Sequence, residues 1–239
     1  MVQSVLMDKS TFLMKIYCRM SVRYEQQRWW PGDSPFEVMV GAVLTQSTAW
    51  ANVEKAIGNL RDACILFPAA LREINQDELA CLVYPSGYYN AKARKLKALA
   101  EYLGRRYADD IEAMISTDPA SIREELLAVY GIGQETADDI LLYALSKPFF
   151  VIDAYTRRLF SRLGIGSAAH SYSEFQWMFS SGLKSDPELF GEYHALIVRH
   201  GSTICRKKPQ CEKCCLLDLC PTGTKFLRDK RTKVVKVMC

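Results

Sequence analysis

Four cysteines near the end of the chain restrict how that segment can fold. Cys205, Cys211, Cys214 and Cys220 lie within the sixteen residues CRKKPQCEKCCLLDLC. Thiolates spaced this closely are more often ligands of a metal ion or an iron–sulfur cluster than core residues. The segment therefore predicts a loop folded around an inorganic group. On the residues alone, zinc and a 4Fe-4S cluster both remain open.

The same end of the chain is strongly basic. From Cys205 to Cys239 there are ten Lys or Arg and three acidic residues, about +7, whereas the whole chain carries +4. A basic loop fits a polyanion such as a phosphate backbone. Nine cysteines, an odd number with five of them clustered, fit a metal site in a reducing compartment better than disulfides. No bilayer-length apolar run or signal peptide is found, so we expect a cytoplasmic, nucleoid-associated protein.

Most of the chain has helical patterning and no convincing pair of strands, which predicts an all-α fold. Ser34 is expected to cap a buried helix, with proline at the first position and Glu37 at the third. Gly104 is expected to end the helix that contains AKARKLKALAEYL. The residues from Lys225 on are expected to form a loosely ordered basic tail. Further helices are predicted at 50–63, 76–83, 118–129, 136–146, 155–163, 172–182 and 188–199.

A tight turn, Gly131-Ile132-Gly133, lies between two helical patterns. Two glycines let the backbone turn sharply and present amide N–H groups at the start of the next helix, where a phosphate oxygen could bind. Such a turn alone is weak evidence for binding. It is followed by an apolar stretch that ends at Asp153 and by a helix with three arginines, Arg157, Arg158 and Arg162.

Together these motifs resemble the helix–hairpin–helix DNA glycosylases of the endonuclease III superfamily. The hairpin matches as LxxVxGIGxxTA, the aspartate matches in VIDAYTRRLFSRLG, and the cysteines follow His200-Gly201. The stretch YPSGYYNAKARKLKAL also matches, and the resemblance covers roughly residues 30–220. It implies a two-lobed all-α fold with a helical barrel domain over 30–137. A second domain, 1–29 plus 138–239, would hold a 4Fe-4S loop at 205–220.

The resemblance implies that Asp153 is the catalytic residue. Base removal develops positive charge on the deoxyribose, and a carboxylate beside that carbon stabilises the charge and orients the attacking water. The structural alternative is an N-cap for the helix that begins near Ala154, and one side chain can fill both roles.

Family members that also cut the DNA strand carry a lysine two residues after the second hairpin glycine, where it forms a Schiff base. Glu135 occupies this position, and Gln134 cannot replace the amine either. A monofunctional glycosylase without strand cleavage is therefore expected.

The segment Trp29-Trp30-Pro31, with Trp50 farther on, resembles the 3-methyladenine branch of this superfamily. By that resemblance Trp29, Trp30, Pro31 and Trp50 line the base pocket, although the tryptophans could simply anchor a loop. Aromatic faces suit a cationic base such as 3-methyladenine, at roughly 0.5–2 kcal/mol per contact. Gln46 resembles the residue that fills the gap left by the flipped base. Its alternative is an ordinary polar helix end.

The usual cysteine spacing in the family is C-x6-C-x2-C-x5-C, and this chain is one residue short in the first loop. Cys215 lies beside Cys214, but only Cys214 keeps the other two gaps. The resemblance favours a 4Fe-4S cluster over zinc, with a structural and DNA-docking role. The residues expected to meet phosphate are Arg206, Lys207 and Lys208, together with the hairpin residues Gly131, Ile132 and Gly133.

The remaining cysteines and the histidines receive no functional assignment. Cys18, Cys64 and Cys81 are interpreted as packing residues, and Cys239 is left unassigned. His170, His194 and His200 are interpreted as core or surface residues.

The predicted function is excision of alkylated bases, first 3-methyladenine, from double-stranded DNA by a monomeric enzyme. Two alternatives remain open. One is a glycosylase for oxidised pyrimidines or mismatched thymine or uracil, and the other is a non-catalytic iron–sulfur DNA-binding protein.

Overall fold

The computed structural model describes residues 8–27, 29–167 and 169–237, with side chains described as far as Lys230, so Cys239 lies outside it. The described residues form helices and no strand, which confirms the all-α prediction. None of these helices is long and apolar enough to cross a membrane. The described α-helices are α1 (Lys9–Tyr24), α2 (Pro35–Leu44), α3 (Trp50–Asp62), α4 (Pro68–Glu73), α5 (Gln76–Leu82), α6 (Tyr89–Tyr107), α7 (Ile111–Ile115), α8 (Pro119–Ala128), α9 (Gln134–Asp139), α10 (Ala154–Leu163), α11 (Tyr172–Ser180), α12 (Pro187–Thr203) and α13 (Pro221–Val237).

The chain divides into two compact units. The continuous unit runs from Trp30 to Phe149, and the split unit combines the residues up to Trp29 with those from Phe150 on. The first boundary coincides with the predicted one, whereas the second lies after Phe149 and not after residue 137. The reason is that Ile140 and Leu141, which follow α9, are fully buried in the core of the continuous unit.

The continuous unit is built around α2, whose residues from Phe36 to Leu44 are all buried. Its start is as predicted: the Ser34 side chain accepts a hydrogen bond from the Glu37 amide at 3.2 Å, and proline occupies the first position. A fully buried Val or Leu side chain contributes roughly 1.5–3 kcal/mol. A helix apolar on nearly every face therefore has to lie at the centre of its unit.

A buried lysine closes the other end of α2. The Lys92 ammonium donates to the Leu44 carbonyl at 2.8 Å and to the Ser86 carbonyl at 2.6 Å, and the residue is 1% exposed. Carbonyls at a helix C-terminus lack partners within the helix, so this lysine satisfies one of them. Burial, followed by the neighbouring Lys95 charge, lowers the pKa of Lys92 to about 8.

The prediction that Gly104 ends α6 is wrong. The helix continues to Tyr107 and closes at Ala108, which has a left-handed backbone with φ 51°. A Cβ on residue 104 would lie 2.7 Å from the Arg72 guanidinium, which passes over this point to pair with Asp109 at 2.6 Å. The glycine therefore serves close side-chain packing on a helix interior and not a cap.

Two further expectations differ from the structure. The segment from Lys225, predicted to be loosely ordered, is helical as far as it is described, because α13 runs from Pro221 to Val237. The helix after the hairpin begins at Gln134, two residues earlier than predicted, and passes into a π-helical turn over Ile140–Ala144. Such π turns are often found at functional sites.

The split unit joins α1 to the C-terminal half of the sequence through an aromatic core. Phe150 stacks on Phe179 at 3.8 Å between ring centroids, and both lie near Tyr193. The Tyr193 hydroxyl donates to the Leu13 carbonyl at 2.8 Å, which ties α12 to α1. α12 also packs against α10, so residues at the start of α10 and along α12 come together.

Candidate active site and cysteine loop

Asp153 lies at the N-terminus of α10, where it caps the helix. Its Oδ1 accepts a hydrogen bond from the Thr156 amide at 2.7 Å, and the residue is 9% exposed. A carboxylate at this position also meets the positive end of the helix dipole. The capping role expected from the sequence is therefore present, and it fixes one oxygen of the carboxylate.

The other oxygen of Asp153 faces a histidine. His194 Nε2 lies 3.8 Å from Asp153 Oδ2, and both side chains are largely buried. Burial acts to raise the pKa of Asp153, but His194 and the Thr156 amide outweigh it, so the pKa is lowered overall. The carboxylate is therefore charged at neutral pH. The sequence did not indicate this pair, because 41 positions separate the two residues and only the packing of α10 on α12 brings them together.

The hairpin makes the tight turn that its two glycines predict, and the Gln46 side chain is hydrogen-bonded to it. Gly131 has φ 78°, a conformation that favours glycine, and the start of α9 follows Gly133. Gln46 donates to the Gly131 carbonyl at 3.2 Å and to the Thr136 hydroxyl at 2.9 Å, while Lys95 donates to the Gln46 carbonyl oxygen. Gln46 is therefore held on the hairpin by hydrogen bonds.

The hairpin residues differ in what they can offer to a ligand. Ile132 is 5% exposed and packs into the core, so only its backbone can reach a phosphate. Gly131 and Gly133 are exposed, and a Cβ at Gly133 would meet nothing within 4 Å. Glu135 is exposed in the first turn of α9.

Three aromatic residues cluster in the continuous unit. The Trp30 ring lies edge-on to Trp50 at 5.4 Å and is tilted against Tyr143 at 5.3 Å. Gly41 on α2 makes room, because a Cβ there would lie 2.9 Å from Trp30 Nε1. The structure thus brings two of the predicted pocket residues together and adds Tyr143. The sequence did not single out Tyr143, which looks like any apolar residue of the helical pattern.

The other two predicted pocket residues are placed differently. Trp29 is partly buried and belongs to the split unit. Pro31 is exposed and follows Trp30 in the chain.

The four predicted cysteine ligands line one cavity of about 200 Å³. Cys205, Cys211 and Cys220 are 8–9% exposed and Cys214 somewhat more, while Cys215 is not part of the lining. One water-sized sphere needs about 10–15 Å³. The donor set of four thiols fits an iron–sulfur cluster and also a zinc ion.

The described residues contain no group of three His, Cys, Asp or Glu gathered closely enough to hold one metal ion. Burial raises the pKa of the Cys214 thiol to about 12, so its proton has to be displaced when a metal binds.

Two arginines of α10 hold the shortened first loop of the cysteine segment. Arg158 donates to the carbonyls of Cys205 and Gly201, both at 2.8 Å. Arg162 donates to the Arg206 carbonyl at 2.8 Å and to Cys205 Sγ at 3.3 Å. These bonds occupy backbone carbonyls of the loop and leave the side chains of its basic residues out of this network. Arg206, Lys207 and Lys208 are all exposed.

His200 lies behind one of the cysteines. Its Nε2 is 3.4 Å from Cys214 Sγ, and its Nδ1 is 2.7 Å from the Tyr24 hydroxyl. The ring is fully buried, and burial lowers the pKa of His200 to about 4. His200 is buried, as expected of a core residue, and it also contacts Cys214, one of the predicted metal ligands.

The family of this chain follows from its match to a family model. Residues 40–184, well over half of the chain, match the HhH-GPD superfamily of base excision DNA repair proteins. The chain belongs to this superfamily. As an HhH-GPD protein it is a DNA glycosylase of base excision repair and an enzyme that acts on DNA.

Curated relatives agree with this assignment. A candidate DNA repair glycosylase of Methanocaldococcus jannaschii is 42% identical over 89% of this chain and 97% of its own length. Endonuclease III of Thermotoga maritima is 30% identical over 78% of this chain and 82% of its own length. This HhH-GPD chain therefore spans most of the length of both relatives.

Solved structures of the superfamily share the fold. The 3-methyladenine DNA glycosylase of Helicobacter pylori, bound to 1,N6-ethenoadenine, is similar with a TM-score of 0.70 and 30% identity. The match covers 81% of this chain and 96% of that one. An endonuclease III–DNA complex is similar with a TM-score of 0.78 and 25% identity, covering 90% and 98%. The two-lobed HhH glycosylase fold expected from the sequence is confirmed.

Proposed function

We propose that this glycosylase excises alkylated bases, 3-methyladenine first, from double-stranded DNA and leaves the strand intact. The observation that carries the proposal is the cluster of Trp30, Trp50 and Tyr143. Electron-rich ring faces bind a cationic base by stacking and by cation–π attraction, about 0.5–2 kcal/mol per contact. A neutral normal base gains only the stacking part. The likeness to the Helicobacter pylori 3-methyladenine enzyme supports the same substrate class.

Asp153 is proposed as the catalytic residue. Its carboxylate is charged at neutral pH; Oδ1 accepts from the Thr156 amide, and Oδ2 faces His194 at 3.8 Å. As the base leaves, positive charge develops on the deoxyribose, and a fixed carboxylate stabilises it without reorganisation. The carboxylate can also orient the attacking water. Because 3-methyladenine in DNA already carries positive charge, expelling it requires no strong general acid.

The absence of strand cleavage is proposed from Glu135. Its carboxylate stands where strand-cleaving relatives carry the Schiff-base lysine, and a carboxylate cannot form an imine. Lys92 on α6 is fully buried and donates to two backbone carbonyls. It is not placed to attack a sugar.

The proposed cofactor is a 4Fe-4S cluster held by Cys205, Cys211, Cys214 and Cys220. When bound, it would supply cross-links that fix the loop and need not take part in base hydrolysis. The observations that support it are the shared cavity and the donor set of four cysteines. Iron–sulfur and zinc can be distinguished by metal analysis of the purified protein.

We further propose that DNA is bound as a duplex by a monomeric enzyme. Exposed amides of the hairpin and the side chains of Arg206, Lys207 and Lys208 would contact phosphates. Gln46, held at the edge of the hairpin, would fill the space that a flipped base leaves.

The deciding experiment uses methylated duplex DNA. Purified protein is incubated with DNA treated with a methylating agent, released bases are separated by chromatography, and strand breaks are counted before and after alkali. We expect free 3-methyladenine, with breaks only after alkali. Breaks before alkali would refute the monofunctional mode.

Asp153→Asn is the matched control, since asparagine can still cap α10. It should lose at least a hundredfold in base release while duplex binding stays within a few fold. A variant with unchanged release would remove Asp153 from catalysis.

Relatives of the endonuclease III and thymine/uracil types define the alternative substrates to test. If no alkylated base is released, oligonucleotides with oxidised pyrimidines and with thymine or uracil mismatches are assayed next. Release from these would replace the proposed substrate. No release from any of them, with DNA binding intact, would favour a binding protein.

A further inference from the structure

Three residues form a continuous hydrogen-bonded chain behind the cysteine cavity. Tyr24 on α1 contacts His200 on α12 at 2.7 Å, and His200 contacts Cys214 Sγ at 3.4 Å. The rings of Tyr24 and His200 also meet edge-on at 5.8 Å. Neither ring lines the cavity itself, so the pair stands on the far side of the sulfur.

The direction of these bonds follows from the chemistry of a ligand thiolate. A thiolate can only accept, so His200 Nε2 has to carry a proton when Cys214 is bound to a metal. The Tyr24 hydroxyl lies 2.7 Å from Nδ1 and has a proton to donate. With the Nε2 proton directed at Cys214, tyrosine is the donor in this pair and fixes the tautomer of the histidine.

We propose that Tyr24 and His200 set the reduction potential of the iron–sulfur cluster through the ligand Cys214. The inference rests on the proposed cofactor and goes beyond it, because it gives the cluster a tuned electronic state in addition to its role in the fold. A donor to a ligand sulfur stabilises the more negative, reduced cluster more than the oxidised one. The relay therefore raises the potential.

Other donors at the ligand sulfurs are of a different kind. Cys214 also accepts from the Leu216 amide at 3.4 Å, and Cys220 accepts from the Gly223 amide at 3.3 Å. Those bonds belong to the fold of the loop and remain in any side-chain variant. Arg162 donates to Cys205 but also holds the loop backbone. Tyr24 and His200 are thus the pair whose removal isolates the electronic effect.

The test is voltammetry of the full-length protein after anaerobic loading with iron and sulfide. Tyr24→Phe and His200→Leu should both lower the midpoint potential. We expect roughly a tenfold change in the redox equilibrium constant, about 59 mV for one electron. His200→Gln should lie between parent and His200→Leu, because the amide can still donate to Cys214 but cannot reproduce the bond at Nδ1.

Tyr17→Phe is the matched control. Tyr17 lies on the same helix and packs edge-on against Tyr193 at 5.3 Å. Its substitution should leave the potential unchanged. Iron per chain and helix content are measured for every variant, and if His200→Leu fails to fold, Tyr24→Phe decides alone because it removes one oxygen atom.

Unchanged potentials in fully loaded Tyr24→Phe and His200→Leu would overturn the proposal, as would an equal shift in Tyr17→Phe. A parent protein that takes up zinc but no iron would overturn this proposal and the proposed cofactor together. The proposed glycosylase activity is tested separately, by the assay of base release. A shifted potential with unchanged base release would support the relay as a tuning device distinct from the hydrolysis.

Discussion

Asp153 combines a structural and a proposed chemical role in one carboxylate. Oδ1 caps α10 through the Thr156 amide, and Oδ2 faces His194 at 3.8 Å. The cap explains why the carboxylate has a fixed orientation before any substrate binds. A substitution that removes the side chain would therefore affect the start of α10 as well as the chemistry. Loss of a helix cap lowers the free energy of unfolding by about 0.5–2 kcal/mol.

The low pKa of Asp153 has a consequence for the pH dependence of base release. Because the folded-state pKa lies below the usual value, the carboxylate stays charged as the pH falls from 7 to about 5, so Asp153 causes no loss of rate in that range. His194→Leu removes a partner that holds the pKa down, so the acid limb of the rate profile should move to higher pH. The rate above pH 7 should change less. An acid limb that stays in place would show that His194 does not act on Asp153.

Glu135 allows a gain-of-function test at the hairpin. Glu135→Lys places an amine in the exposed first turn of α9, two residues after Gly133. The variant should form a covalent adduct with abasic DNA that is trapped by borohydride, because an amine forms an imine with the opened sugar. The parent and Glu135→Gln should form none. If Glu135→Lys also forms none, the position does not face the sugar.

At the level of elements, the sequence predicted what is coded locally. The start of α2 is an example, since Ser34 and Glu37 act within one turn. The end of α6 was missed because the reason for Gly104 is Arg72, which belongs to another helix. The length of α13 was missed because its high charge resembles a solvated tail.

The candidate sites likewise divide into features coded locally in the sequence and features that depend on packing between helices. The cysteines and the hairpin carry their spacing in the sequence, so they could be recognised. Tyr143, His194 and His200 become meaningful only through packing between helices. A single sequence contains no signal for such pairs.

Lys92 gives a stability prediction that belongs to the junction of α2 and α6. Its pKa of about 8 in the folded state lies below that of an unfolded lysine, near 10.5, so the unfolded chain binds more protons between these pH values. The free energy of unfolding should therefore rise with pH in this window, relative to Lys92→Met. The shift corresponds to roughly 3–4 kcal/mol at most, at about 1.4 kcal/mol per unit.

Chemical denaturation of both proteins at pH 7.5, 9 and 10.5 measures this difference (roughly the window set by the two pKa values). A difference that falls or stays constant across the three conditions would show that the ammonium is not destabilised by its burial. Groups common to the parent and the variant cancel in the comparison.

For the whole molecule, the salt dependence of DNA binding tests the basic cysteine loop. Removing one phosphate contact lowers the slope of log K against log salt by about 0.9. Arg206→Ala and Lys207→Ala should each do so on an undamaged duplex. Lys184→Ala is the control, since this exposed lysine lies 3.7 Å from Asp186 in the same unit. Equal slopes for all three variants would exclude the loop as a phosphate-binding surface.

The split unit has a consequence for the order in which the protein is made. The ribosome delivers α1 first, but its partner helix α12 and the cysteines come more than 160 residues later. The continuous unit, Trp30–Phe149, can complete its core in the meantime, because domains fold as they emerge. During synthesis α1 therefore stays without its partner helix until α12 has been made, and the candidate catalytic carboxylate acquires its histidine only at that stage.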